Sequence, residues 1–189
     1  MKNDAYLDNI RIVLVEPQVP GNIGASARAM KNMGLRHLVV VNPWAREHPQ
    51  ARYMAHNSED ILADARYCDS VAEAVADSVL VAGTTRRKRR GTPFLDPGDA
   101  AARIIDSART GPVSILFGRE DKGLTNDELK CCQVLVNIPS SRKQPSLNLS
   151  QAVMVMSYVL YAHDHTPRGQ ALDLAGAAEL ANMYDHLEK

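Results

Sequence analysis

The stretch IRIVLVEPQVPGNIGASARAMKNMG, Ile10 to Gly34, begins as an apolar run rich in β-branched residues, breaks at prolines and Gly21, and resumes as a helical stretch from Gly24 to Met33. An apolar run without polar alternation suits a strand covered on both faces. The same kind of run recurs at HLVVV (His37 to Val41), SVLVAG (Ser78 to Gly83), SILFG (Ser114 to Gly118) and VLVNI (Val134 to Ile138). Helical stretches separate them at Ser70 to Ala76, Asp99 to Ala108 and Asn126 to Cys132. Ser70 with Glu73, and Thr125 with Glu128, each have capping-box spacing. Strands alternating with helices predict an α/β fold built on a mainly parallel sheet flanked by helices.

Composition narrows the class. A chain of 189 residues, 45% apolar and 23% charged, suits one globular domain. The 22 basic and 22 acidic side chains cancel, so attraction to nucleic acid has to come from a local patch. Three cysteines, two of them adjacent at Cys131 and Cys132, give neither a disulfide framework nor a zinc spacing. MKNDAYLDN lacks an apolar signal region, and a cytoplasmic location is expected.

QPSLNLSQAVMVMSY, Gln144 to Tyr158, opens with small polar residues and turns into an almost unbroken apolar helix. Positions 149, 152, 153, 156, 159 and 160 share one face, while 154, 155, 158 and 161 cover most of the other. Such a helix is buried nearly all round, in a core or against a second chain, and is too short to span a membrane. One N-cap needs only one of Ser146, Asn148 and Ser150. The surplus predicts a polar helix end facing a ligand crevice.

Ligands of parallel sheets sit at the carboxyl ends of the strands. Four loops there carry the unusual residues. After the first strand, Gly21 and Gly24 permit tight turns and close approach to a ligand; Asn22 either orients a side chain or caps the helix. Arg28, about one turn on, is either solvent-facing or functional. TTRRKRRGTP holds five consecutive basic residues, Arg86 to Arg90, which favour phosphate binding over a merely solvated surface. Few aromatics accompany them, so base stacking is not evident. FGREDKGLTNDEL places Gly118, Glu120 and Gly123 in a turn able to bring its backbone against a flat ligand. The six histidines lack metal-ligand spacing, and His163 and His165 read as a frayed, solvent-exposed helix end; no metal is expected. Nucleophile-elbow, Walker and dinucleotide fingerprints are missing.

Taken together, NIGASARAMKNMG, FGREDKGLTNDEL and IPSSRKQPSLNLSQAV resemble the three successive motifs of the SPOUT class of RNA methyltransferases. Within it they are similar to the TrmH family of ribose 2′-O-methyltransferases, especially the TrmJ-like branch. The resemblance spans roughly Ile10 to Tyr161. It implies a sheet with a C-terminal deep trefoil knot, S-adenosylmethionine as cofactor, and a homodimer with its site at the interface. The implied activity is methylation of a ribose 2′-hydroxyl in tRNA, at a cytidine or uridine of the anticodon loop, position 32 type. The runner-up substrate is ribosomal RNA. The alternative of another class is an inactive RNA-binding module of the same fold.

Carried over by position, Thr84, Thr85, Arg86, Gly118, Ile138, Pro145, Ser146 and Leu147 match cofactor-binding positions. Asn22, Arg28, Glu120, Ser146 and Asn148 match the catalytic set, with Arg28 at its centre. Arg28, Arg86, Arg87 and Arg89 are the expected RNA-binding residues. A guanidinium with a pKa above about 12 is a poor base. Arg28 is therefore expected to polarise the hydroxyl while held on an RNA phosphate that helps take up the proton. The knotted domain is expected over residues 1–163. Residues 164–189, with HTPRGQ as a hinge and MYDHLEK resembling the start of a helix, are expected to be a linker and the beginning of the C-terminal extension of longer family members. On that ground a shortened chain, with reduced tRNA affinity and a whole cofactor site, is one reading left open.

Overall fold

The computed structural model describes residues 4–42 and 48–165 and the single positions 176, 178, 183, 186 and 187. Strands β1 (Ile10–Val15), β2 (His37–Val41), β3 (Arg66–Cys68), β4 (Leu80–Thr84), β5 (Phe94–Leu95), β6 (Val113–Phe117) and β7 (Val134–Val136) form one sheet in the order β3-β2-β1-β6-β4-β7-β5. Every pairing is parallel, Val13 lying opposite Val39 on one side and Leu116 on the other. The helices are α1 (Pro20–Asn32), α2 (Pro49–Ala55), α3 (Glu59–Ala63), α4 (Val71–Ala74), α5 (Pro97–Ala108), α6 (Asn126–Lys130) and α7 (Leu149–His165).

The absence of polar alternation in the strands has a direct cause. Successive side chains of a strand point to opposite faces, and both faces are covered. Ile10, Ile12 and Leu14 join the core made with α1, α5 and α7. Val13 and Val15 join a second core with Val71, Ala74, Leu124 and Leu129. Helix α7 packs against both α1 and α5, and Val153, Met156 and Leu160 are fully buried there. Its other face, Met154, Val155 and Tyr161, is only half-buried, and Tyr158 is 56% exposed.

Several local expectations need correction. Helix α1 starts at Pro20 rather than Gly24, with proline in the first turn, where its missing N–H costs nothing. Gly24 serves helix packing and not ligand approach: a Cβ there would lie 1.9 Å from the Ala51 carbonyl oxygen of α2. Strands β3 and β5 were not expected, because two- and three-residue edge strands carry no apolar run. Helices α2 and α3 are short and polar and were also missed. Thr125 and Glu128 complete their capping box. Ser70 accepts from the Glu73 amide, but the Glu73 carboxylate takes the Asp69 amide, one residue early. The α7 helix runs through His163 and His165, and His165 stacks on Tyr161 at 4.0 Å rather than fraying into solvent. The expected linker and extension beyond it fall almost wholly outside the described residues.

Candidate functional site

Three neighbouring strands, β6, β4 and β7, end on the same edge, and the loops that leave them surround a cleft of about 370 Å³. That volume suits a small-molecule site, which typically measures ~300–1,000 Å³. Thr84, Thr85 and Arg86 form one wall, Gly118 to Leu124 a second, and Ile138 with Pro145, Ser146 and Leu147 the third. All eight positions expected to hold a cofactor therefore line a single cavity. Helix α7 begins at its rim.

The shape of the middle wall depends on glycine. A Cβ on Gly118 would fall 2.2 Å from the backbone of Gly123 and Leu124, and Gly123 has φ +67°. The turn is closed by the Gly123 amide donating to the Arg119 carbonyl at 2.8 Å. A side chain at Gly118 would collide with the loop backbone, and at Gly123 the positive φ would strain any L residue.

Glu120 carries the polar network of the site. Its Oε2 accepts the Gln18 amide at 2.9 Å, and its Oε1 accepts the Val19 amide at 3.2 Å and Asn22 Nδ2 at 2.7 Å. Val19 is the residue ahead of α1, so the carboxylate stands at the positive end of that helix. Asn22 is buried in the first turn of α1, and its Oδ1 accepts Asn148 Nδ2 at 3.0 Å. Asn148 in turn caps α7: its Oδ1 accepts the amides of Ser150 and Gln151 and the Ser150 hydroxyl. Asn22 thus orients side chains and does not cap, while Asn148 caps and also joins the network. Ser146 is exposed and lines the cleft.

On the other side of the same loop lies an ionic clamp that sequence reasoning missed. Arg119 donates to Glu16 Oε2 at 2.6 Å and to both Glu128 oxygens at 2.9 and 3.1 Å. The Arg119 side chain is 12% exposed and that of Glu128 13%. The carboxylates raise the Arg119 pKa above its already high value, and the Arg119 hydrogen bond holds the Glu16 carboxyl below its usual range. Glu16 sits directly after β1 with φ 46°, bent back toward the loop. No local pattern announces such a triad; only a charged residue placed just past each of two strand ends hints at it.

Arg28 stands apart from these groups. It is exposed on α1, has no hydrogen bond or ion pair among the described residues, and is not among the residues lining the cleft. Arg87 donates to the Leu124 carbonyl and Arg89 to the Asn126 carbonyl at 2.7 Å, so two of the expected RNA-binding cations pin the basic loop to the start of α6. Arg86 is exposed at the cleft. Of the four expected loops, three line the cavity; the first reaches it through its bonds to Arg119 and Glu120. No group of metal-binding side chains occurs among the described residues, and no described helix is long and apolar enough to cross a membrane.

Residues 9–158 match the SpoU rRNA Methylase family. The chain is 41% identical over 191 residues to tRNA (cytidine/uridine-2′-O-)-methyltransferase TrmJ of Sodalis glossinidius, covering 97% of this chain and 74% of that protein. It is 41% identical over 198 residues to tRNA (cytidine/uridine/adenosine-2′-O-)-methyltransferase TrmJ of Pseudomonas aeruginosa, covering 97% and 77%. The crystal structure of TrmJ from Z. mobilis superposes with a TM-score of 0.75 at 39% identity, over 94% of this chain and 77% of that one. With the family model covering most of the chain and the cleft built from its motif loops, this protein belongs to the SpoU rRNA methylase family.

Proposed function

We propose that this protein transfers a methyl group from S-adenosylmethionine to a ribose 2′-hydroxyl of tRNA, at a cytidine or uridine of the anticodon loop, position 32 type. One observation carries the reading: the eight cofactor positions, scattered over the chain from Thr84 to Leu147, line one cleft. The names of the relatives supply the substrate class.

The residues present fit the cofactor. Gly118 lets the loop close on the backbone of Gly123 and Leu124 at the edge of the cleft, Thr84 and Thr85 keep hydroxyl acceptor capacity beside their bonds to the Leu116 carbonyl and the Arg87 amide, and Ile138 and Leu147 offer apolar surface to a purine or a methionine chain. When bound, the sulfonium supplies the electrophilic methyl for in-line attack. No covalent enzyme intermediate is needed, so the protein's task is alignment and proton removal. Glu120, Asn22 and Asn148 hold the cleft loop, α1 and α7 in one register. Ser146 offers a hydroxyl at the cleft for positioning the ribose. Arg28, on an RNA phosphate, polarises the 2′-hydroxyl, and the phosphate helps take up the proton.

The reading includes a homodimer, in the cytoplasm. Its support is the half-buried apolar face of α7, with Tyr158 at 56% and, on the α1 and α2 side, Val19 at 43% and Met54 at 41% exposed. A site completed across such an interface accounts for Arg28 lying outside the cleft of its own chain. Three free cysteines accord with a reducing compartment. It also includes a domain over residues 1–163 with a C-terminal deep trefoil knot, and residues 164–189 as a linker and the start of a C-terminal helical extension. In support, residues of the segment after β7 line the same cleft as the loops after β4 and β6, and α7 then packs on α1 and α5.

The test is calorimetric titration with S-adenosylmethionine, then transfer of labelled methyl to total RNA, with the acceptor fractionated and its ribose methylation mapped. Saturable binding and label in tRNA are expected. Label in ribosomal RNA alone would replace the substrate, and binding of RNA with no transfer would leave an inactive RNA-binding module. Near-normal turnover of Arg28→Lys would remove the specific guanidinium role.

A further inference from the structure

A second cavity lies beside the cofactor cleft and shares a wall with it. Arg86, Ile138 and Pro145 line both. The second cavity measures about 290 Å³, and Phe94, Asn137, Pro139, Ser140 and Arg142 complete it. It sits at the β5 edge of the sheet, where Phe94 pairs with Leu135 and the Asn137 amide donates to the Leu95 carbonyl at 2.9 Å.

The chemistry of this lining is narrow. Phe94 gives a half-buried aromatic ring, with Lys88 Nζ 5.5 Å from its centroid. Arg86 and Arg142 are exposed guanidinium groups without a hydrogen bond or ion pair among the described residues. Asn137 offers an amide that can donate and accept, and Ser140, whose hydroxyl donates to the Pro145 carbonyl at 2.7 Å, keeps acceptor capacity. No acidic side chain is among the described lining residues, which disfavours an amine or metal cation. A ring for a base, two cations for phosphate and a donor–acceptor pair for a base edge are what a single-stranded nucleotide requires.

We propose that this cavity receives the RNA nucleotide flanking the methylated one, with its phosphate between Arg86 and Arg142 and its base on Phe94; the proposal rests on the methyltransferase reading above. The cavity measures about 290 Å³, and the shared wall puts its occupant directly beside the first cleft. The cavity also supplies the aromatic partner that the basic run Arg86 to Arg90 lacks in the chain. Preference at the flanking position would then come from Asn137 and Ser140, while Arg142 adds affinity irrespective of base.

Phe94→Leu and Arg142→Ala are compared with wild type in three measurements: S-adenosylmethionine affinity by calorimetry, affinity for unfractionated tRNA across a salt series, and rate of methyl transfer. Phe94→Leu is expected to raise the tRNA Kd about fivefold or more with the salt slope unchanged. Arg142→Ala is expected to weaken tRNA binding and to lower the slope of log K against log salt by about one. Cofactor affinity is expected to stay within about twofold in both, since neither side chain lines the first cleft. Wild-type tRNA affinity in both variants, with an active parent, would overturn the flanking-nucleotide site alone. Loss of cofactor affinity in Arg142→Ala, an exposed position remote from the core, would assign the cavity to the cofactor and also overturn it. A parent protein that binds no RNA would bring down both this inference and the reading beneath it.

Discussion

Arg119 and Glu120 are neighbours in the chain and belong to the same cleft loop, yet they are held in opposite ways. Arg119 is gripped by two carboxylates, Glu16 from the end of β1 and Glu128 from α6. Glu120 meets no cation among the described residues; it is held by two backbone amides and the Asn22 side chain. The clamp ties the loop to the sheet edge and to α6 through charge. The network ties it to the starts of α1 and α7 through groups that only donate to it. A clamp of matched charges holds a shape, whereas a chain of amides ending at the rim of the cleft transmits that shape to residues that would meet substrate.

The difference can be broken at several points. Gly118→Ala strikes both halves, because its Cβ would meet loop backbone at 2.2 Å that no rotamer change relieves. A loss at or above the upper end of the ~1–3 kcal/mol typical of overpacking is expected, with S-adenosylmethionine affinity abolished; denaturant unfolding and calorimetry measure the two.

Arg119→Met removes the cation and leaves two carboxylates facing each other in a partly buried site. Stability at pH 7 should fall by about 2–3 kcal/mol, below the ~3–5 kcal/mol of fully buried pairs. The pH dependence has a definite sign. Because the folded-state pKa of Glu16 is lowered from 4.5, its contribution is present above that value and is lost as pH falls through the lower folded one. The stability gap between wild type and Arg119→Met should therefore narrow below about pH 4.5. A gap that is constant down to pH 3 would mean that the side chain acts by packing alone.

Asn148→Ala cuts the network at its α7 end. Loss of the cap is expected to cost about 1 kcal/mol, and turnover should fall by more than that cost explains, because Asn22 loses its second partner. Equal loss in stability and in the free energy of turnover would reduce Asn148 to a helix cap. The smallest effect is expected away from the cleft, at Asp77→Asn. Its hydrogen bond from Arg11 lowers the Asp77 pKa from 3.8 to about 2. Stability from this pair is present above about pH 3.8 and disappears as pH falls toward 2. The carboxylate is exposed, so solvent screening keeps the loss below about 1 kcal/mol, and cofactor affinity should not move.

How much of this was legible in the chain differs from residue to residue. IRIVLV and SILFG announce buried parallel strands because apolar residues on both faces leave a local mark. Thr125 and Glu128 announce a helix start three residues apart. The eight positions expected to hold a cofactor follow from motif resemblance, and the folded chain puts all eight on the same cavity. By contrast, Gly24 carries no sign that its neighbour is Ala51 of α2 rather than a ligand. Arg87 and Arg89 belong to a basic run, yet Arg87 bonds the Leu124 carbonyl just ahead of α6 and Arg89 the Asn126 carbonyl at its first residue.

What the sequence determined by itself is therefore the α/β class and the family, the first from apolar runs a few residues long and the second from three motifs in order along the chain. What only the tertiary structure decided is which polar groups meet. Glu120 bonds Asn22 across 98 positions, Arg119 reaches Glu16 across 103, and Asn148 reaches Asn22 across 126. Those pairings, the place of Arg28 outside the cleft and the approach of Phe94 to Arg142 follow from the strand order and from helices laid on both faces of the sheet. Local propensity acts over one or two turns of chain; a strand order is set by the burial of two cores at once, and it is that burial which brings distant polar residues within reach of one another.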